Sequence, residues 1–572
     1  MDITTLINYI KETEKISLIA DENLLSQIAM RSPFIFLNCI LKVDEKDIPI
    51  KLVITSEFPE ALPKFLLDKY DTLGFLPHIE PNGSICFLEK ESVYINVEEP
   101  KAVFQASVEL AIKTLSDGLN ELNNKDFREE FHVFWERNKY ISNLNVISLI
   151  DIIDTPKKVQ LLKDNRRAIL FDLDRNIERQ KRIFFKRTPS LTKTGIYVPL
   201  LEDCDLTPPK YDQKWSVDEF VNWLKPKISL QNWKILTEEI LNKKPERYEY
   251  LVLGIPRNTG ATILVGVQLK PKKRTNHPLL EEKTGWGLSL LDISRLDMPS
   301  ILPRGGANVD LQKKKVLLIG CGSVGSHIAL MLSKTGLGFL DLVDYDKFKI
   351  ENIQRFSIGI EHVGKSKVDA LKDYLDKNVI GINISANNKN FNDFIKEGNI
   401  NLSDYDLIVS ATGDPTINLS INNKLKKLKV PFIIGWNEPY GIGGHALLSI
   451  DDLNGCYRCL FRNRYNVASF ASSDQSKPFY KKHLGCGEVY TPYSALDSIR
   501  TSELVVRLVN SFLTGKINRP QLISWIGDSK EFLEEGYKLS TRYANQTQDE
   551  MNKNRFAFIN LECPHCGKIN DN

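Results

Sequence analysis

Three groups of residues in this chain have the types and spacing to do chemistry. The first is a pair of C-x-x-C motifs, Cys456 and Cys459 in "GCYRCLF" and Cys563 and Cys566 in "ECPHCGK". Four thiolates in two pairs over a long separation make a tetrahedral soft-ligand site of the kind zinc prefers. No thioredoxin-like pattern surrounds either pair, so a structural Zn²⁺ is expected rather than a redox dithiol. The second group is "LLIGCGSVGSHIAL", where Gly320, Gly322 and Gly325 come after a buried strand, Val316 to Ile319, and open a helix. Such glycines let backbone amides close on a phosphate at a helix N-terminus. Asp344, at the end of the next strand, suits a ribose hydroxyl. The third group is single thiols. Cys486 stands between glycines, after Lys481, Lys482 and His483 and ahead of a helical pattern, a setting that favours thiolate. Cys86 ends "HIEPNGSIC", just past an Asn-Gly turn. Cys39 in an apolar strand, Cys321 inside the glycine loop and Cys204 read as packing residues.

The residues after Asp344 decide between a dinucleotide and ATP. "DYDKFKIENIQRFSIGIEHVGKSK" supplies Asn352, Arg355, Lys365 and Lys367. A nicotinamide enzyme needs no cationic cluster there. A triphosphate attacked at its α-phosphate does, because charge builds on phosphorus and on the departing pyrophosphate. "LIVSATGDP" then ends a strand near Asp414, placed as a ligand for Mg²⁺.

These residues need elements to position them. At 572 residues the chain is too long for one core. A formal net charge of +3 excludes a bulk electrostatic attraction to nucleic acid or membrane. The basic stretch Lys157 to Arg187 is interrupted by acids and reads as a solvated helix face. The opening residues lack a secretory pattern, no apolar run could span a bilayer, and nine scattered or C-x-x-C cysteines suit a reducing compartment. A cytoplasmic protein is expected. A helical pattern opens the chain, and "FIFLNCILKV" and "IPIKLVITSEFP" form a predicted hairpin. "PKAVFQASVELAIKTLSDGLN" is predicted as a helix with Val103, Ala106, Leu110 and Ala111 on one face, and "DFREEFHVFWERN" as another. In the middle, "QKRIFFKRT", "YEYLVLGIP" and "ATILVGVQLK" read as strands with "VDEFVNWLKPKI" a helix between them. From about residue 300 strands and helices alternate, predicting a mainly parallel sheet.

The ordered set "GCGSVG", "DYD", "NIQR", "GKSK" and "SATGD" resembles the adenylating domain shared by ThiF/MoeB proteins and ubiquitin-activating enzymes. The resemblance implies that Asp344 and Asp346 sit near ribose and metal. It implies that Asn352 and Arg355 contact phosphates, that Lys367 stabilises the transition state, and that Asp414 holds Mg²⁺. An upstream arginine, Arg295 or Arg304, would join them. It further implies adenylation of a protein's C-terminal carboxylate, a homodimer, a zinc site, and transfer of the acyl group to Cys486.

The helix–meander–Cys–helix order of the first 140 residues, with "NGSIC" and "DFREEFHVFW", resembles a ubiquitin-conjugating enzyme. That family carries an H-P-N tripeptide upstream of its cysteine. This chain has "PHIEPNGSIC", where His78 is the nearest counterpart, no Asn stands in the usual place, and Asn82 shapes the turn. A conjugating-type domain ahead of an activating-type domain resembles the ubiquitin-transferase-like accessory proteins of CBASS antiphage operons. The family's partner is a cGAS-like nucleotidyltransferase, whose C-terminus is joined to an amine acceptor.

The expectation is therefore a multidomain chain. It has an α+β conjugating-like domain over 1–142, an α/β connecting domain over 143–300, and a Rossmann-like α/β adenylation domain over 301–572. ATP, Mg²⁺ and Zn²⁺ serve it, with His78, Arg355 and Lys367 assisting Cys86 and Cys486. The alternative is a sulfur-carrier-type adenylyltransferase with an inert N-terminal docking domain.

Overall fold

The computed structural model describes all residues except 1–2, 20–33, 69, 89–94, 188, 190, 242–248, 259, 272–275, 282–284, 399, 462–468, 477–478, 483–488 and 568–572. Two compact units meet in sequence at Leu296 and Asp297. Among the described residues no helix is long and apolar enough to cross a membrane.

The first unit begins with a four-stranded antiparallel sheet, β1 (Ile16–Leu18), β2 (Phe34–Val43), β3 (Lys46–Thr55) and β4 (Lys64–Leu67), in sequential order. β2 and β3 pair from Phe34–Thr55 to Val43–Lys46, so the hairpin turns at Asp44 and Glu45. The helix Pro100–Leu119 covers the sheet, but through Phe104, Val108, Ala111, Ile112 and Leu115. That is a correction to the expected stripe, of which only Ala111 is buried; Val103, Ala106 and Leu110 lie toward its edge or in solvent.

Seven further strands close into a barrel: β5 (Asn145–Ser148), β6 (Lys157–Lys163), β7 (Arg167–Asp172), β8 (Leu191–Pro199), β9 (Tyr250–Ile255), β10 (Ile263–Lys270) and β11 (Gly287–Arg295). Two expectations fail here. Lys157–Lys163 and Arg167–Asp172 are antiparallel barrel strands rather than a helix face, because alternate residues such as Val159, Leu161 and Ile169 point into cores. Conversely, "QKRIFF" belongs to the helix Glu178–Phe184. The helix Val217–Leu224 forms as expected, started by a capping box between Ser216 and Glu219. The segment "DFREEFHVFW" makes two short helices, Asp126–Glu129 and Phe131–Glu136. Phe131 and Trp135 of the latter are fully buried with Trp215, Phe220 and Leu290 of the barrel region, and the Trp135 indole donates to the Leu291 carbonyl at 3.0 Å.

The second unit is a seven-stranded sheet. In spatial order it runs β14 (Asn383–Asn387), β13 (Phe339–Val343), β12 (Lys315–Ile319), β15 (Leu407–Ser410), β16 (Phe432–Asn437), β17 (Gly443–Ser449) and β20 (Gln521–Ile526). The first five strands are parallel and the last two antiparallel. The chain winds outward from β12 to β14 and then returns to β15 on the other side, so the topological switch lies between β12 and β15. A two-stranded pair, β18 (Lys481–Lys482) and β19 (Val489–Tyr490), brackets residues 483–488.

Candidate functional sites

At the switch point, β12 ends in Gly320, whose φ of +86° and whose approach to Ala411 and Thr412 leave no room for a Cβ. A Cβ on Gly325 would strike the Gly320 carbonyl, so the helix Ser323–Leu332 packs directly onto the loop. A Cβ on Gly322 would meet nothing within 4 Å, so the loop is open at this point, where it lines the cleft and a phosphate can approach the backbone. Asp344 uses both carboxylate oxygens to brace the turn, accepting from the Cys321 amide at 2.7 Å and the Asp346 amide at 2.8 Å.

Two clefts share this loop. One, of about 590 Å³, is lined by Gly322, Asn352, Arg355, Lys367 and Asp414 among others. The second, of about 770 Å³, is lined by Gly320, Asp344, Phe391 and Asp414. They meet along Gly322, Ala411, Thr412 and Asp414. Together they have the capacity of a nucleotide with its phosphates, and the end that gathers Asn352, Arg355 and Lys367 carries the cationic groups that suit phosphates. Lys367 is 9% exposed, and its ammonium donates to Asp346 at 2.7 Å. Asp414 caps the helix Pro415–Leu428 with one oxygen, accepting from the Thr416 and Ile417 amides at 2.7 and 3.1 Å. Its other oxygen takes no hydrogen bond among the described residues, which suits a cation. These donors fit MgATP.

Sequence reading missed Tyr493 here. Its hydroxyl lies 2.9 Å from Ser323 Oγ, and the Arg355 guanidinium sits 4.8 Å over its ring while donating to the Thr491 carbonyl. The only local signal is an aromatic residue just ahead of the Ser494–Asp497 capping box. Cys486 itself lies outside the described residues. The next strand, β19, runs into Tyr490, Thr491 and Tyr493 on the wall of the phosphate cleft. Of the two upstream arginines, Arg304 is exposed at the end of the helix Met298–Arg304, whereas Arg295 belongs to the barrel and donates to the Thr262 carbonyl.

Cys456, Cys459, Cys563 and Cys566 converge, with all four Sγ atoms within 4.8 Å of one another. Individual separations of 4.0, 3.8 and 3.4 Å match the edge of roughly 3.8 Å expected for a tetrahedron with Zn–S bonds near 2.3 Å. The Gly455 amide points at Cys566 Sγ, the kind of outer contact that steadies a thiolate ligand. Three of the four cysteines are buried, so this is a closed site that ties the short helix Tyr457–Leu460 to the far end of the chain.

In the first unit Cys86 is exposed at the end of a tight turn. The Ser84 amide donates to Asn82 Oδ1 at 3.0 Å, Gly83 takes a φ of +80°, and the Leu67 amide donates to the Gly83 carbonyl at 2.8 Å. The Cys86 amide donates to the His78 carbonyl at 2.8 Å. His78 adopts a left-handed φ of +61°, which a non-glycine holds only where its surroundings fix it. The clamp is its ring: Nδ1 lies 2.9 Å from Glu130 and Nε2 3.0 Å from Asp126. The bond to Glu130 above all raises the imidazole pKa to about 9, against the opposing effect of burial. With both nitrogens held by carboxylates, the ring is a fixed cation. By contrast, burial pushes the Cys39 thiol up to about 12 and the Cys321 thiol well above its ordinary value, as suits packing residues. Cys204 donates to the Leu201 carbonyl at 3.1 Å.

Two family models match this chain: prokaryotic E2 family B over residues 37–142 and the ThiF family over residues 297–499. A Pseudomonas aeruginosa relative named ATP-dependent ubiquitin transferase-like protein Cap2 is 22% identical over 83% of this chain and 85% of its own length. The Vibrio cholerae protein of the same name is 29% identical over 38% of this chain, a match spanning about two fifths (39%) of that relative. The Culex quinquefasciatus adenylyltransferase and sulfurtransferase MOCS3 is 29% identical over 30% of this chain and 39% of its own.

Proposed function

We propose that this chain, a Cap2-like fusion of E2-family and ThiF-family domains, uses MgATP to activate the C-terminus of a partner protein and delivers it to an amine. The observation that carries the reading is one polypeptide holding both a nucleotide cleft gathered on Gly322, Arg355 and Lys367 and an exposed thiol on a braced turn. A carrier thiol is useful only beside an acyl source.

The partner's carboxylate oxygen attacks the α-phosphorus and pyrophosphate leaves. Arg355 and Asn352 hold the phosphates, while Lys367, oriented by its ion pair with Asp346, meets the charge that builds on the α-phosphoryl oxygens. Mg²⁺ held at Asp414 would neutralise charge on the phosphates. The Cys486 thiolate attacks the acyl carbon and AMP leaves. The Cys86 thiolate then attacks that thioester and Cys486 leaves as thiolate. An amine finally attacks the Cys86 thioester, loses its proton to solvent and expels the Cys86 thiolate. Each step replaces one high barrier with a lower one. Family resemblance supports a cGAS-like nucleotidyltransferase of an antiphage operon as partner and a homodimer as the working form.

The sulfur-carrier alternative rests on the likeness to MOCS3. One trapping assay separates the two. Protein, partner and MgATP are incubated, quenched without reductant, and compared with Cys86→Ala and Cys486→Ala. Thiol-labile adducts on both cysteines, with the Cys86 adduct lost on removing Cys486, support the relay. No adduct at Cys86 overturns it in favour of the sulfur-carrier activator.

A further inference from the structure

Discharge of a thioester to an amine passes through a tetrahedral oxyanion, which needs a donor fixed where the charge develops. Of the side chains near Cys86 in sequence, His78 has both ring nitrogens engaged by Asp126 and Glu130, and Asn82 is anchored in its own turn, its Oδ1 accepting from the Ser84 amide. A further donor comes within range from the barrel region.

The loop 210–213, between β8 and the helix Val217–Leu224, is held by a buried clamp on the segment that follows the helix Phe131–Glu136. Asn138, 1% exposed, donates through Nδ2 to the carbonyls of Lys210 and Gln213 at 2.8 and 3.2 Å, on either side of Tyr211. The Lys139 amide donates to the Tyr211 carbonyl at 2.7 Å. The Tyr211 ring stacks on Phe134, with centroids 5.1 Å apart and planes at 19°. Phe134 stands four residues beyond Glu130, in the helix that follows the Asp126–Glu130 segment gripping His78, and the His78 carbonyl accepts from the Cys86 amide. The segment is fixed to the barrel loops as well: Arg128 donates to the Cys204 carbonyl at 2.6 Å, and Glu129 accepts from Arg257 and from the Asn258 amide. The same segment is tied to the Cys86 turn itself, Arg137 pairing with Glu80 at 3.0 Å, and the Tyr211 phenol feels the charges of Arg137, Glu130, Glu80 and Cys86.

We infer that Tyr211, presented by the barrel, donates its hydroxyl hydrogen bond to the thioester carbonyl carried on Cys86 and stabilises the oxyanion formed as the amine attacks. This deepens the proposed relay and rests on it. Burial is the main cause that raises the phenol's pKa, so the proton is present to donate at neutral pH. The phenol donates without giving up its proton. The bond that forms is acyl carbon to amine nitrogen, the bond that breaks is carbon to Cys86 sulfur, and the amine's proton goes to solvent.

The test uses the full chain with Tyr211→Phe, which keeps the ring on Phe134 and deletes only the hydroxyl. Wild type and variant are charged with partner and MgATP, AMP formation is stopped with a chelator, and discharge of the Cys86 thioester to free lysine is timed. The expected result is a discharge rate at least about tenfold lower, against the 10²–10³ that loss of one oxyanion donor costs elsewhere. Iodoacetamide should alkylate Cys86 within about twofold of the wild-type rate. An unchanged discharge rate overturns the inference while leaving the relay intact. Equal losses in discharge and alkylation also overturn it, because the hydroxyl then serves the thiol rather than the carbonyl. If wild type forms no thioester at Cys86, relay and inference fall together.

Discussion

Replacing Glu130 by Gln should convert the stability of the Cys86 turn from strongly to weakly pH-dependent. The His78 imidazole lies between two carboxylates and its pKa rises from 6.5 to about 9, with the Glu130 hydrogen bond the largest cause. A group whose pKa is raised on folding stabilises the fold in full below its unfolded value, here pH 6.5, and loses that contribution as pH climbs through the folded value. At about 1.4 kcal/mol per tenfold change in proton affinity, the pair of values corresponds to about 3 kcal/mol at pH 6 and about 2.5 kcal/mol at pH 7. By pH 9 it has fallen below about 0.5 kcal/mol. The side chains are a quarter to a third exposed, so solvent screening trims these to about 2 kcal/mol at neutral pH. Glu130→Gln removes the larger share of that, about 1–1.5 kcal/mol. Two measurements check it. In ¹³C-histidine-labelled protein, the resonance lost in His78→Gln should titrate near pH 9 and move toward 7 in Glu130→Gln. Urea unfolding tracked by hydrogen exchange of first-unit peptides should show the variant less stable at pH 6.5 and equal to wild type above pH 9.5. A His78 midpoint near 6.5 in wild type, or a stability gap that does not change with pH, would refute the reasoning.

Three further outcomes are expected. Lys367→Ala should lower partner-dependent exchange of labelled pyrophosphate into ATP by about 10²-fold or more, because the ammonium that Asp346 orients toward the phosphate cleft is gone; exchange at the wild-type rate removes Lys367 from the chemistry. Tyr493→Ala should raise the KM for ATP several-fold with little change in kcat, since the stacking that aims Arg355 is worth about 1 kcal/mol, while Tyr493→Phe, which loses only the contact with Ser323, should stay within about twofold. The purified protein should carry about one zinc per chain by elemental analysis, and Cys563→Ser should lose the metal and lower the melting temperature of the second unit; a metal-free protein with unchanged melting would leave the four thiols without a structural ion.

Legibility in the sequence depended on whether the physical cause is local. The glycine loop is legible because Gly320 and Gly325 answer steric demands set within a few residues of themselves. The C-x-x-C pairs are legible because each puts two thiolates on one short turn. The buried face of Pro100–Leu119 differs from the expected one because the sequence offers two apolar stripes, one rich in Val, Ala and Leu and one carrying Phe104, and only the sheet beneath decides between them. "QKRIFFKRT" is too short a run to separate helix from strand by periodicity, and its neighbours Lys157–Lys163 became strands through pairing with β7 and β8. Barrel closure, which joins β10 to β9 and β11 and β5 to β7, has no signature in any one segment. Tyr493 reaches Arg355 across 138 residues of chain, and Tyr211 reaches the Cys86 turn across 125; spacing along the sequence carries no trace of either approach.

The same contrast separates the nucleotide cleft from the surroundings of Cys86. The nucleotide cleft draws its loops from the carboxyl ends of successive parallel strands, so its parts recur in a fixed order and a motif can find them. The Cys86 centre is assembled from three remote pieces: the turn 78–86, the segment 126–139 and the barrel loop 210–213. Asn138 and Phe134 belong to the middle piece and touch the third, while Asp126 and Glu130 of that same piece hold the first. A change in loop 210–213 therefore acts on Cys86 through a short chain of contacts within the first unit, whereas the glycine loop belongs to the second. Replacing residues 210–213 by a glycine-serine linker should accordingly slow release of acyl groups from Cys86 while leaving pyrophosphate exchange within about twofold. A parallel fall in both would mean that the loop supports the fold of the whole chain rather than one step of the reaction.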